Sequence, residues 1–405
     1  MKIPEGWRKV ALKSIAEFIY GFTETALEKG DVRLIRITDI DDRGFLKETD
    51  AKYVNMVNGL KNYFLKKGDI LVARTGGTYG KTLYYNNNYP AVFASFLIKI
   101  ELNKDRMLPE FYFHFSQSDN YWIQAKKLVS GGGQPQFNAN ILKEIIIPIP
   151  PLPEQKAIAN ILSTWDEAIE KTEKLIKEKE KRFKGLLNDL IHKGRKNNAW
   201  KSFILKDICN YISRKNSENN TNVLTSSAQN GLVSQFEYYN KSVSAENVTE
   251  YYLLKKGDFA YNRSSAKGYP FGATKRLDRY EKGVLSTLYL CFSLKPNSPC
   301  ESDFLLHLFE SGSLNRELRA VCQEGARSHG LLNITKSDFF GIKIFLPSQN
   351  QQKQIQSALN TAQDEINILE KLSEQYKKQK QGLIQKLLTG EWRVKKEIIN
   401  KNLRV

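Results

Sequence analysis

Two long stretches of this chain return an apolar residue at alternating steps of four and three. In the first, Ile158, Leu162, Trp165, Ile169, Thr172, Ile176, Lys179, Phe183, Leu186 and Leu190 keep one heptad frame, with polar breaks at Thr172 and Lys179. In the second, Ile355, Leu359, Ala362, Ile366, Leu369, Ser373, Tyr376, Lys380, Leu383 and Leu387 keep the same frame, broken at Ser373 and Lys380. A 3.5-residue period sustained this far predicts a coiled-coil stripe on each of two long helices. Pro153 suits a first helical position, and Glu154 complements the positive end of the helix dipole. Gly194 and Gly390 stand where a C-cap glycine is expected. A helix of about 38 residues measures ~57 Å. Two matched seams favour mutual pairing over each helix packing only on its own domain, and antiparallel pairing would put a globular part at each end of a rod.

Outside these stretches the pattern is mixed. Residues 32–37 and 96–100 read as strands between Gly, Asn and Asp clusters, and residues 110–124 and 303–321 read as helices. An apolar strand closed by proline ends each mixed part, at 145–149 and 342–346.

The chain is a duplication. Gly6-Trp7 and the residues through Lys13 resemble Ala199-Trp200 through Lys206. Lys66-Lys67-Gly68-Asp69 matches Lys255-Lys256-Gly257-Asp258, and Gln155-Lys156-Ala157-Ile158 resembles Gln352-Lys353-Gln354-Ile355. Segments 154–191 and 351–388 align without a gap. A repeat near 200 residues is a whole-domain duplication, since solenoid repeats run to only ~20–50 residues. The tail Gly390-Glu391-Trp392-Arg393-Val394 resembles the start of a further unit, which lets the chain's two ends meet and close a pseudo-twofold arrangement.

Composition narrows the partner. The 405 residues carry 62 Lys+Arg against 44 Asp+Glu, a net charge of +18, which points to an extended polyanion: DNA or RNA first, an anionic membrane surface second. No apolar run approaches the ~18 residues of a membrane span. The N-terminal residues hold no apolar signal core, so no membrane and a cytoplasmic location are expected. Cys209, Cys291, Cys300 and Cys322 form no C-x-x-C pair, which argues against zinc ribbons and redox motifs.

Together the opening Gly6-Trp7 with Leu12, the Lys-Gly-Asp strand at 67–72, Pro151-Leu152-Pro153-Glu154-Gln155-Lys156, Gly185-Leu186-Leu187 and the stretch 382–390 resemble the specificity (S) subunits of type I restriction-modification enzymes. The resemblance covers nearly the whole chain and both copies. The second copy departs at Pro347-Ser348-Gln349-Asn350-Gln351-Gln352, where a weaker helix start is expected.

The resemblance implies an α+β fold with two tandem mixed α/β target recognition domains, separated by two long antiparallel coiled-coil helices. The expected boundaries are 1–153 and 194–349 for the recognition domains, 154–193 and 350–389 for the spacer helices, and 390–405 for the tail. Each domain would read one half of a split site on double-stranded DNA. The helices would set the spacing and dock two methyltransferase (M) subunits, and restriction (R) subunits would join that complex. Adenine methylation and cleavage would belong to those partners. S-adenosylmethionine, ATP and Mg would be bound there and no cofactor by this chain.

DNA reading needs cations for phosphates and forked or amide side chains for base edges. After the first Gly-Asp come Arg74, Thr75, Thr78, Tyr79 and Lys81; after the second come Arg263, Ser264, Ser265, Lys267 and Tyr269. Glycines there can leave backbone amides open to phosphate, and either arginine can fork onto guanine, sit on phosphate, or merely decorate a tight turn. A second loop in each copy carries Gln134, Gln136 and Asn138, then Arg327, Ser328 and His329. The amides suit adenine, or else cap their own backbone. Lys174, Lys177, Lys179, Lys181, Arg182 and Lys184 crowd the first helix, as a solvated face with Glu170–Lys174 and Glu173–Lys177 pairs or as contacts to the DNA spacer.

Signals for catalysis fail on inspection. Residues 76–82 lack the first glycine and spacing of a phosphate-binding G-x-x-x-x-G-K-[ST] loop. The chain has no Asn-Pro-Pro-aromatic stretch, and His114, His192, His307 and His329 have no metal-ligand spacing. A non-catalytic specificity subunit is therefore expected. The competing reading is a coiled-coil scaffold that binds nucleic acid without sequence preference.

Overall fold

The computed structural model of the protein describes residues 3–129, 137–197, 200–227, 231–239, 248–324 and 332–401. Packing divides it into two compact units, residues 1–173 with 371–405, and residues 174–370. The long helices are Leu152–Leu187 and Gln349–Leu388, so each unit contains a portion of both.

In the first unit a four-stranded antiparallel sheet runs in the order Ala16–Tyr20, Leu97–Leu102, Ile70–Ala73, Thr82–Tyr84. Alternation along these strands turns Ile70, Val72, Ile98 and Ile100 into one core with Phe111, Phe115 and Tyr121 from the helices Pro109–Phe115 and Asp119–Val129. A second sheet joins Lys52–Val54, Val32–Ile35 and Ala91–Phe93, and Arg8–Ala11 pairs with Ile146–Ile149.

The second unit repeats the plan. Its four-stranded sheet runs Cys209–Tyr211, Leu290–Leu294, Phe259–Asn262, Ala273–Arg276, and Lys201–Ile204 pairs with Lys343–Leu346. Phe259, Tyr261 and Phe292 pack there against Phe304, Phe309 and Phe339.

Several sequence expectations change. Each predicted mixed-part helix is two helices, broken at 116–118 and at 311–314. Ser116 and Ser118 donate their hydroxyls to the carbonyls of Phe113 and Phe115, and Gly312 takes φ +71°, so local bonds and a left-handed residue replace the helical ladder. The strand expected from residue 96 starts at Leu97, leaving Phe96 in the preceding turn. Gly390 is left-handed (φ +73°) as a C-cap should be, but Gly194 has φ −57° and lies inside helix. The first long helix loosens there into π geometry over Asn188–Lys193 and resumes over Gly194–Asn197, so no cap is required at Gly194.

The helix portions pair antiparallel within each unit. In the first, Ile158 and Leu162 share a core with Ile384 and Leu387, and the rings of Trp165 and Tyr376 meet at 5.6 Å. In the second, Leu187 and Ile191 share a core with Leu359, and Lys179 bonds Glu365 at 2.5 Å. None of the twenty heptad positions is exposed. Glu173 turns away from Lys177, pairing with Lys377 at 2.7 Å and Arg43 at 3.6 Å, because the partner helix brings a cation into reach.

The helix starts are built differently. In the first unit Glu154 is buried and accepts from Trp7 Nε1 at 3.2 Å and from Arg393 Nε at 2.7 Å and Nη2 at 2.9 Å. Val394 joins the core that holds Trp7, so the tail of this unit does meet its N-terminal residues. In the second unit Ser348 and Gln351 bond reciprocally, Gln351 N to Ser348 Oγ at 3.4 Å and Ser348 N to Gln351 Oε1 at 3.2 Å. That is a capping box, so this start is not the weakened one the sequence implied.

His114 and His307 are buried at matching places, bonded to Ser163 Oγ at 3.2 Å and Asn360 Oδ1 at 2.7 Å. Burial pushes both imidazoles below their ordinary pKa, and the Lys380 charge pushes His114 further. The unfolded chain takes up these protons near pH 6.5 while the fold holds the neutral rings. Their stabilisation is thus full above that pH and is lost as pH falls toward the folded pKa. Urea unfolding should lose about 1.4 kcal/mol per pH unit per histidine below pH 6.5. His114→Gln should remove one proton's share of that slope; an unchanged slope would refute the assignment.

Candidate nucleic-acid interface

The Gly-Asp strands place Arg74 and Arg263 at the same end of the two four-stranded sheets. Strand register makes them equivalent: Val72 faces Ile98 in one unit as Tyr261 faces Leu290 in the other. Both arginine carbonyls accept from the residue that opens the segment after the second candidate loop, Phe137 N at 2.7 Å and Leu332 N at 2.8 Å. Both arginines also hold the turn before the neighbouring strand. Arg74 N donates to Phe96 O at 3.0 Å and its Nη1 reaches Ser95 O at 3.4 Å; Arg263 Nε donates to Leu288 O at 2.8 Å. The Arg74 guanidinium lies 5.1 Å from the ring centre of Tyr20.

The other candidates scatter. Tyr79 packs its ring on Trp122 and Phe137, at 6.4 and 6.2 Å, and so faces the core. Lys81 is tied to Asp42 at 2.8 Å. Thr75 and Thr78 are half-buried at the 3-10 turn Gly76–Thr78. Three of the loop's amides are closed: Tyr79 N, Gly80 N and Lys81 N donate to Gly76 O, Ala73 O and Thr78 O. These three amides are spent on the loop's own backbone and are not open to phosphate.

In the second unit Ser264 is half-buried while Ser265 and Lys267 are exposed. The Tyr269 hydroxyl donates to Glu310 at 2.5 Å beside Lys275, and burial against Glu310 drives its pKa up. Asn138 accepts from Ile141 N at 3.1 Å and caps the helix Ala139–Lys143, which is the backbone role rather than the adenine role. Gln134, Gln136, Arg327, Ser328 and His329 lie outside the described residues. On the first long helix Lys174, Lys177, Lys181, Arg182 and Lys184 are exposed, whereas Lys179 is half-buried.

Sequence reasoning missed the turns at 94–96 and 286–288. Phe96 continues an apolar run and so reads as strand, and only its position one residue outside the ladder exposes it. Among the described residues no group of three or more His, Cys, Asp or Glu could hold a metal, and no helix is long and apolar enough to cross a membrane.

The same arginine-braced turn is built twice on a strongly basic chain, an arrangement that suits a nucleic-acid partner. The family model for the type I restriction modification DNA specificity domain matches residues 4–180 and again 197–378, and the chain belongs to that family. It is similar to the type I restriction enzyme MjaVIII specificity subunit of Methanocaldococcus jannaschii, 27% identical over 425 residues, 98% of this chain and 95% of that protein. The EcoKI specificity subunit of Escherichia coli strain K12 is 26% identical over 293 residues, 65% of this chain and 62% of that one. The fold is shared with the type I restriction-modification S subunit from M. genitalium, with TM-score 0.59 and 15% identity, over 96% of this chain and 98% of that chain. The chain is thus a DNA specificity subunit, the recognition component rather than the catalytic one.

Proposed function

We propose that residues 1–153 and 194–349 are target recognition domains that read the two halves of a split DNA site. Residues 154–193 and 350–389 set the spacing between the halves and dock two methyltransferase subunits, and residues 390–405 secure the first helix start. Restriction subunits complete the assembly. S-adenosylmethionine, ATP and Mg act in those partners, which methylate adenine or cleave. The observation that carries this reading is the twice-built turn, with one architecture and different side chains, as two different half-sites require. Arg74 and Arg263 are the base- or phosphate-facing cations in it, with Ser265 and Lys267 beside the second.

The test is a methylome. The chain is expressed with its methyltransferase subunit in a host lacking adenine methylation, and modified bases are mapped by long-read sequencing. A split motif with a fixed gap, absent without this chain, is expected. Arg74→Ala and Arg263→Ala should each weaken binding to a duplex carrying that motif about tenfold to a hundredfold. Binding that ignores duplex sequence and follows salt alone would instead establish the scaffold reading.

A further inference from the structure

Phe96 and Leu288 occupy the same place in the two units. Their strands share one register offset, since Ile98 lies opposite Val72 and Leu290 opposite Tyr261. Each sits two residues before these positions, at the tip of the turn that Arg74 or Arg263 holds. A large apolar side chain at a sheet end normally folds inward. Here Phe96 is 55% exposed and Leu288 66% exposed, while Leu97 and Leu290 beside them are buried.

The turns are rigid. Leu97 N donates to Ala94 O and Ala94 N to Ile35 O, both at 2.9 Å. Gly21 lies so close that a Cβ there would stand 2.1 Å from Ala94 O. In the second unit Tyr289 N donates to Ser286 O at 3.1 Å and Leu288 N to Ser286 Oγ at 3.3 Å. A retreat of either turn would break these bonds, and exposing the side chain to water gains nothing for the fold.

We infer that Phe96 and Leu288 are apolar base contacts: each presses its side chain onto the bases of the half-site read by its own unit, beside the arginine that holds the turn. This rests on the DNA-reading function above and assigns to it two residues outside the arginine loops. Apolar side chains meet DNA at thymine methyl groups and at base steps they wedge apart, and both uses need an exposed residue on a stiff support next to a cation. The one apolar side chain at each turn tip offers far less than a protein interface, which takes about 800 Å² per partner. The two residues differ in shape, as contacts with different bases would.

The test uses the full chain in complex with its methyltransferase subunits and a duplex bearing the mapped motif, with 2-aminopurine placed in either half. Phe96→Ser and Leu288→Ser should each raise Kd for this duplex about tenfold. Each should relax base preference and quench the 2-aminopurine response in one half only, a different half for the two variants. Their salt slopes and non-specific binding should match the wild type, because no phosphate contact is lost. Phe96→Leu should retain most of the affinity. Wild-type Kd in both serine variants, or loss of methyltransferase association in place of DNA affinity, would overturn the inference. If the wild-type complex itself prefers no duplex, it is the DNA-reading function that fails.

Discussion

Lys380→Met is expected to destabilise the first unit by about 3–5 kcal/mol in urea unfolding. Lys380 sits at a heptad position that a coiled coil would fill with Leu, and it is 7% exposed. Its ammonium donates to Asp166 Oδ1 at 2.7 Å and Gln117 Oε1 at 2.9 Å. Burial raises the Asp166 carboxyl pKa and lowers that of Lys380, each opposed by the partner's charge. Removing the cation strands a buried carboxylate, whose desolvation then has no compensation. The double variant Asp166→Leu with Lys380→Met should recover most of the loss, since a buried ion pair roughly breaks even against apolar packing.

The deficit should also shrink in acid. His114 Nδ1 lies 3.9 Å from Asp166 Oδ2, and the Lys380 charge is one reason His114 stays neutral. Without that charge the imidazole can take a proton and pair with Asp166, and Asp166 can itself be protonated. Both changes stabilise the single variant as pH falls below about 6.5. A single variant within 1 kcal/mol of the wild type, or a double variant no better than the single, would refute this account. The matching seam position in the second unit is Phe183, whose ring is 6.2 Å from that of His307, so the polar pair belongs to one unit alone. A buried polar contact at a seam is a known way to hold helix register.

Gln155→Leu and Gln352→Leu should each cost about 2–4 kcal/mol, one in each unit. Gln155 is fully buried; its Oε1 accepts from Leu108 N, and its Nε2 donates to Arg106 O and Pro150 O, all at 2.9 Å. Gln352 repeats this, accepting from Glu301 N at 2.8 Å and donating to Pro299 O at 2.9 Å and Pro347 O at 3.1 Å. One amide therefore ties the first turn of each long helix to the loop before the helix Pro109–Phe115 or Ser302–Glu310 and to the end of the strand that precedes the long helix. Leucine fills the volume and strands one amide and two carbonyls. Because this amide fixes the recognition part on its helix, methylation of the mapped motif should fall with stability. Glutamate, which has the shape but lacks the donating NH₂, should serve little better. Paired losses of similar size would show the two copies using one device; a loss below 1 kcal/mol in both would refute it.

These two cases divide what the chain declares locally from what only packing decides. The heptad seams, the duplication and the basic charge were legible because each is a periodic or summed property that neighbouring residues express together. The Gln-Lys anchors at 155 and 352 were visible as repeats, but their role was not, since the loop groups they tie down, Leu108 N and Glu301 N, lie 47 and 51 residues away. The same distance effect hid the Glu154–Arg393 bond, with 239 residues between its ends. The candidate interface suffered most. Tyr79, Lys81 and Asn138 have the side chains DNA reading needs, yet a ring stack, an ion pair and a helix cap absorb them inside their own unit. Phe96 and Leu288 look like ordinary strand residues until register sets Phe96 one residue, and Leu288 two, beyond the ladder. Residue type and period determine which elements form and that a polyanion suits the chain. Which side chains remain for DNA is decided by what the tertiary structure leaves unsatisfied.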